Sequence, residues 1–176
     1  EQAGAKEDRL IHEPMAAAIG IGIDVLEPMG NMIVDIGGGT SEIAVIALGG
    51  IVNNKSIRTA GDDFTDEIVE YMRKQHNMHV GERTAEMIKI EVGSALTELD
   101  NPPEEYAVHG RDMLTGIPKE IKVNYSEIAY CLDKSISKIE TAVLNALEQT
   151  PPELSADIYR TGIYLTGGGA LLRGLD

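Results

Sequence analysis

The sequence predicts an α/β fold, a mixed sheet flanked by helices, and three observations carry that expectation. Short β-branched runs such as Met32-Ile33-Val34-Asp35-Ile36 alternate with longer segments whose apolar residues recur every three or four positions. Two of the short runs end in glycine triplets, Gly37-Gly38-Gly39 and Gly167-Gly168-Gly169, which take six of the chain's 19 glycines. The length, 176 residues, fits one domain or two small ones sharing a core.

The elements follow in chain order. Residues 1–9 are polar, show no start signal and read as a tail or the remnant of a cut element. Glu13-Pro14 followed by three alanines predicts a helix over 14–23, because proline is tolerated in a first turn and alanine favours helix. Pro28-Met29-Gly30-Asn31 reads as a turn. Strands over 32–36, 40–48 and 51–57, joined by tight glycine turns, predict an antiparallel meander. Ala60-Gly61-Asp62-Asp63 carries early negative charge, as a helix start prefers, and Phe64, Ile68 and Met72 mark the buried side of a helix to about 75.

A second helix is expected over 83–99, with Ala85, Ile88, Val92, Ala95 and Leu99 on one side and Asn101-Pro102-Pro103 as its stop. Strands are expected over 105–110 and 117–123. Ser126 is the expected N-cap of the longest helix, which ends near 149 and turns Ile128, Leu132, Ile136, Ile139, Val143 and Leu147 to the core. After Pro151-Pro152 come a short helix over 153–159, a strand over 162–166 and, past the second triplet, a helix starting at Ala170.

Charge and composition exclude several functions. Lys and Arg number 15 against 29 Asp and Glu, a net charge of −14, which counts against nucleic acid and anionic lipid as partners of this chain. With no Trp and one Phe, the core must be aliphatic. A lone Cys131 cannot form an internal disulfide, fits a reducing cytoplasm and reads as a packing residue. No apolar run is long enough to span a bilayer, and no signal peptide is recognisable. His76 and His79 lack the further ligands of a zinc site and read as a solvated pair, while His12 and His109 show no partner in sequence.

The glycine triplets carry the chemistry. The first has an acid before it and a hydroxyl after it, Asp35-Ile36-Gly37-Gly38-Gly39-Thr40. Such a turn brings backbone N–H groups close to a ligand, and a nest of donors suits phosphate oxygens. A carboxylate at the strand end can hold Mg²⁺ through its waters, and Thr40 could bond a phosphate oxygen or an attacking water. The second triplet, between a strand and a predicted helix, is an anion or nucleotide site by dipole and free amides. No Gly-Lys-Ser or Gly-Lys-Thr follows either triplet, and Gly20-Ile21-Gly22 lacks the third glycine of the dinucleotide fingerprint.

Four motifs now stand in order: Glu13-Pro14-Met15-Ala16-Ala17-Ala18-Ile19-Gly20; Ile33-Val34-Asp35-Ile36-Gly37-Gly38-Gly39-Thr40; Gly81-Glu82-Arg83-Thr84-Ala85-Glu86; and Leu165-Thr166-Gly167-Gly168-Gly169-Ala170-Leu171-Leu172-Arg173-Gly174. Together they resemble the actin-like ATPase superfamily, whose fold is ribonuclease H-like, and within it the bacterial rod-shape-determining MreB group. The resemblance implies an ATP or ADP site with Mg²⁺ in a cleft between two lobes. It makes Asp35, Gly37, Gly38, Gly39 and Thr40 the second phosphate hairpin, with Asp35 holding the metal through water. Glu13 falls on the carboxylate that activates the attacking water, assisted by Thr40; Glu86 and Lys89 fall on the adenosine contacts; Gly168, Gly169 and Ala170 fall on the loop beside adenine and the α-phosphate. Glu86 and Lys89, three apart on a helix, share a face and can reach one ligand.

The resemblance further implies a filament subunit of the cytoplasm, membrane-associated through parts absent from this chain, with cell-shape and wall-synthesis proteins as partners. Residues 1–65 and 126–176 would form the inner subdomain of the second lobe, and 66–125 an outer insertion. The family's first phosphate hairpin has no counterpart here, so the chain alone is expected not to hydrolyse ATP at a useful rate. A heat-shock chaperone ATPase shares the Glu-Pro and Asp-x-Gly-Gly-Gly-Thr motifs but normally has Phe-Asp where Ser41-Glu42 stands, and a small-molecule kinase would need a second pocket.

Overall fold

The computed structural model describes residue 4 and residues 10–176; the expectation of a polar tail over 1–9 lies outside the described residues. Helix α1 (Glu13–Gly20) precedes the meander β1 (Asn31–Ile36), β2 (Ser41–Ala47) and β3 (Gly50–Ile57). Then come α2 (Gly61–His76), β4 (Met78–His79), α3 (Glu82–Val92), β5 (Tyr106–Asp112) and β6 (Pro118–Val123). The chain finishes with α4 (Tyr125–Glu148), α5 (Pro152–Thr161), β7 (Ile163–Thr166) and a 3-10 turn, Gly168–Leu171.

The strands form two sheets. The first has the order β3-β2-β1-β7, antiparallel except for β1 and β7, which run parallel; the second has the order β4-β5-β6. Alternation along β1 and β2 sorts the first sheet's two faces. Met32, Val34, Ile36, Ile43 and Val45 join the larger core with Phe64, Ile68, Ile88, Ile128 and Leu132 of the helices. Ile33, Ala44 and Ile46 face the other way and pack with Ala18 of α1. Asp35 and Glu42 follow the same alternation, so both stand on the α1 face. The core is aliphatic, as composition required, with Phe64 fully buried.

Four expectations need correcting. Helix α3 stops at Val92 instead of 99. A Cβ on Gly93 would overlap the Lys89 carbonyl, Gly93 is extended, and Ser94 pairs with Arg173 as an isolated parallel bridge. Arg173 also donates to the carbonyl of Ile90 at 3.0 Å, so a residue 83 positions away in sequence takes part in ending the helix. Helix α1 ends at Gly20, before the expected 23.

The N-cap of α4 is Asn124 instead of Ser126: its side chain accepts from the Glu127 N–H at 3.0 Å, and Glu127 returns a carboxylate oxygen to the Asn124 N–H at 2.8 Å. The expected helix at Ala170 is a single 3-10 turn. Strand β4, only two residues long, escaped periodicity because two residues have no period.

Two histidines have partners. His76 lies half-buried, 2.9 Å from Glu127, which also accepts from the Tyr71 hydroxyl at 3.0 Å. His109 pairs with Glu120 directly across β5 and β6, at 2.7 Å on the surface. Cys131 packs against the core, and burial pushes its thiol up to about 12, so it is not a ready nucleophile.

Asn124→Ala removes the capping oxygen of the longest helix and is expected to lower unfolding free energy by about 1 kcal/mol, whereas Ser126→Ala is expected to be nearly neutral. Urea midpoints of the two variants check the assignment.

Candidate nucleotide site

Parallel pairing of β1 with β7 places Asp35 opposite Thr166, so the two glycine triplets leave the same end of neighbouring strands. In open α/β sheets that carboxyl end is where ligands bind. The first triplet forms the loop Gly37 to Thr40, closed by the Gly37 N–H donating to the Thr40 carbonyl at 2.9 Å. Among the described residues no protein oxygen accepts from the N–H groups of Gly38, Gly39 or Thr40. Those amides are available to an anion. The loop's carbonyls are occupied instead: Gly37 accepts from Gly61 at 3.0 Å and Gly38 from Asp62 at 2.8 Å, both at the start of α2.

The glycines of the second triplet are required for different reasons. Gly167 has φ of +84°, and a Cβ there would overlap the Ile36 carbonyl. A Cβ on Gly169 would overlap the side chain of Ile36, which is fully buried, whereas one on Gly168 would meet nothing. Two members of the triplet therefore allow close packing on β1, and Gly168 is left free. With only one 3-10 turn following, the helix-dipole contribution expected from the sequence has no helix to supply it.

A cavity of about 740 Å³ opens beside these turns. Gly37, Gly38, Gly168 and Gly169 line one part and α3 the other, through Glu82, Arg83, Glu86, Lys89 and Ile90. Of the residues singled out from sequence, Gly37, Gly38, Glu86, Lys89, Gly168 and Gly169 meet here. Glu13, Asp35, Gly39, Thr40 and Ala170 do not line it. Glu13 opens α1 with its side chain exposed, on the sheet face that also carries Asp35.

Gly61, Asp62, Thr65 and Arg83 line the cavity although sequence reasoning did not select them as site residues. Asp62 read as a helix-start charge; only its contact with Gly38, 3.2 Å from where a Cβ would stand, reveals its second position. Arg83 lies inside a quoted motif, and that was the signal available for it.

Two charges on the cavity wall, those of Lys89 and Glu86, are paired. Lys89 Nζ lies 2.6 Å from Glu86 Oε2 and donates to the carbonyl of Gly61 at 2.9 Å. Burial pushes the Glu86 carboxyl up, but hydrogen bonds from Lys89 and Thr65 outweigh it and hold the group below its ordinary value. Asp35 is the opposite case: burial, and then the negative charge of Glu42 directly across β2, raise its carboxyl above the ordinary value. The Asp35 carboxylate, its charge disfavoured by burial and by Glu42 on the neighbouring strand, suits a cation beside it. Among the described residues no cluster of three or more metal-type side chains occurs, so such a cation would take most of its ligands from water and from a bound anion.

A mixed sheet of this order, with helices on both faces and two glycine turns at one end, is the actin-like ATPase fold. MreB 5 of Spiroplasma citri bound to AMPPNP has the same fold with a TM-score of 0.94 at 42% identity, over 99% of this chain and 52% of that one. The MamK filament, at 20% identity and a TM-score of 0.72 over 96% of this chain and 48% of that one, agrees in fold. The chain belongs to the MreB/Mbl family: the family described as "MreB/Mbl protein" matches residues 1–176. It is 49% identical over its whole length to the cell shape-determining protein Mbl of Bacillus subtilis, covering 52% of that protein. It is 50% identical over 174 residues to the cell shape-determining protein MreB of Escherichia coli, covering 99% of this chain and 50% of that protein. The chain thus spans about half the length of the curated relatives it matches.

Gly169→Ala is expected to cost about 1–3 kcal/mol through overpacking against Ile36, while Gly168→Ala leaves the melting temperature near wild type. Thermal unfolding of both variants checks this. Asp35→Asn is expected to stabilise the fold at neutral pH. A folded carboxyl raised above its unfolded value disfavours folding once ionised, so the gain appears as pH rises through the folded value and vanishes below the ordinary 3.8. Urea midpoints of wild type and variant as a function of pH check the sign.

Proposed function

We propose that this chain is the nucleotide-binding part of an actin-like filament subunit that determines bacterial cell shape. The observation that carries the proposal is the convergence of two glycine turns and the α3 wall on one cavity at the carboxyl end of parallel strands. Membership of the MreB/Mbl family supports it, as do the solved MreB 5 structures described as bound to AMPPNP and ADP. The names of the relatives favour this reading over a heat-shock chaperone ATPase or a small-molecule kinase.

In this reading ATP or ADP binds with its phosphates toward the unpaired amides of Gly38, Gly39 and Thr40, and with Gly168, Gly169 and Ala170 beside the adenine and α-phosphate. Glu86 and Lys89 form the adenosine side. Asp35, its charge disfavoured by burial and Glu42, holds Mg²⁺ through water, and the metal neutralises phosphate charge when bound. Glu13 takes the proton of the attacking water, with Thr40 assisting its placement. The cavity residues named here would supply one side of a cleft between two lobes.

The strand distribution supports an inner subdomain of residues 1–65 and 126–176 with an outer insertion over 66–125. Strands β4, β5 and β6 all fall within the insertion, and β1, β2, β3 and β7 outside it. ATP would favour assembly into filaments and hydrolysis would weaken their contacts. Cell-shape and wall-synthesis proteins would bind the polymer in the cytoplasm, in association with the membrane and with no nucleic acid partner.

Pelleting and phosphate release by the full-length protein test the proposal. Glu13→Ala is expected to lower the hydrolysis rate on the order of 100-fold while still assembling with ATP. Asp35→Ala is expected to lose both activities. Wild-type behaviour from both variants would refute the site.

A further inference from the structure

Two hairpin tips present bare leucines, and each tip is braced from behind. Between β2 and β3 the turn is only Leu48-Gly49, with φ of +52° and +71°. Such a turn favours Asn-Gly, because a bulky side chain is poorly tolerated at positive φ. Leu48 nonetheless stands there 70% exposed. The Leu48 N–H donates to the Glu27 carbonyl at 3.0 Å and the Gly49 N–H to that of Val25 at 2.6 Å. Leu26, 73% exposed, sits beside Gly49, and its N–H donates to the Asp24 carboxylate at 3.0 Å. The strain at Leu48 gives the single chain nothing in return, which is the pattern of a functional position.

The β5–β6 tip follows the same plan. Asp112 accepts from the N–H groups of Leu114 and Thr115 and from the Thr115 hydroxyl, at 2.9, 2.9 and 3.0 Å. Those bonds, with Lys119 beside them, hold its carboxyl down at about 2, so the brace is ionised at neutral pH. Leu114 stands on this tip 82% exposed. The two tips differ in charge. Asp24 and Glu27 are exposed at the first, whereas Arg111 is exposed at the second and has no carboxylate partner among the described residues.

Helix α4 separates the tips. Its first turn meets the end of α2 through Glu127 and His76, and the second tip is fixed to the same place. There the Met113 N–H donates to the Asn77 carbonyl at 2.9 Å, and Lys119 donates to that of His76 at 3.0 Å. The other end of α4 lies by β3, where Asn53, close behind Gly49 in the chain, donates to the Ala146 carbonyl at 3.0 Å. With 24 residues α4 is about 36 Å long, so the tips stand toward opposite ends of the molecule.

We propose that the β5–β6 tip of one copy docks on the β2–β3 tip of the next, with Leu114 against Leu26 and Leu48 and with Arg111 facing Asp24 and Glu27. Different patches at opposite ends make a head-to-tail contact, and such contacts grow into filaments when their rotation closes no ring. Braced tips lose little freedom on docking, which keeps the cost of the contact low. The acidic rim of the first tip disfavours an anionic lipid surface in the same place. This contact names the partner surface for the filament-subunit reading above and rests on that reading.

Cross-linking and pelleting of the full-length protein with ATP test the contact. Leu48→Cys and Leu114→Cys subunits, mixed and treated with a short bismaleimide, are expected to give covalent dimers that neither variant gives alone. Leu48→Asp and Leu114→Asp are each expected to raise the assembly threshold about 10-fold and to leave ADP binding unchanged. Below that raised threshold their equimolar mixture is expected to stop at heterodimers, since one intact tip of each kind remains. Arg111→Glu is expected to weaken assembly, and Glu27→Arg added to it to restore it. Unaltered assembly in both Asp variants, or a cysteine mixture that yields no mixed dimer, would overturn the proposal. Loss of binding to phosphatidylglycerol vesicles in the Asp variants, with assembly intact, would overturn it in favour of a membrane. A wild-type protein that does not pellet with ATP would instead refute the filament reading itself.

Discussion

The parallel pairing of β1 with β7 is the constraint on which the cavity depends. These strands are separated by 126 residues between the end of one and the start of the other, and they meet in a register that sets Asp35 beside Thr166. That register brings two glycine turns to one edge and lets Gly169 pack on Ile36, and among the described residues the amides of Gly38, Gly39 and Thr40 have no protein acceptor. Everything between the two strands serves as their crossover. Helices α2 and α4 cover one face and α1 the other, so both faces of the short parallel pair are shielded, as parallel strands require.

Close approach, as well as turn geometry, explains the glycines. Gly30 is an example: a Cβ there would lie 2.8 Å from that of Leu154, and its N–H donates to Asp157 at 2.9 Å. Helix α5 is thereby set against the start of β1, just ahead of β7. Gly93 performs a similar service at the end of α3, where Arg173 returns to bond the helix's last carbonyls. The same tail that follows the second glycine triplet therefore also determines how far α3 extends along the cavity.

The strongly acidic charge and a polyphosphate ligand are compatible in physical terms. Attraction to an anion in this cavity would come from oriented backbone N–H groups and from a cation near Asp35, and not from a field of lysines. Lys89 and Glu86 neutralise one another, so this pair adds no net charge to the wall. Asp35 stands in an environment that disfavours its charge, a cost to folding that a functional carboxylate can carry.

By itself, the sequence determined the alternation of strands and helices, the aliphatic core around Phe64, the three-stranded meander and the two glycine turns. Each of these depends on local periodicity or on turn chemistry that neighbouring residues dictate. Its motifs also sufficed to select the family, because four of them occur in order. Tertiary structure alone decided which face Asp35 occupies, where α3 stops, that Asn124 and not Ser126 caps α4, and that Lys89 turns inward to Gly61 and Thr65. Those outcomes depend on contacts between residues 20 or more positions apart, or on competition between two adequate caps. Spacing along one helix can show that Glu86 and Lys89 share a face; it cannot show that the carbonyl of Gly61 is waiting there for the ammonium.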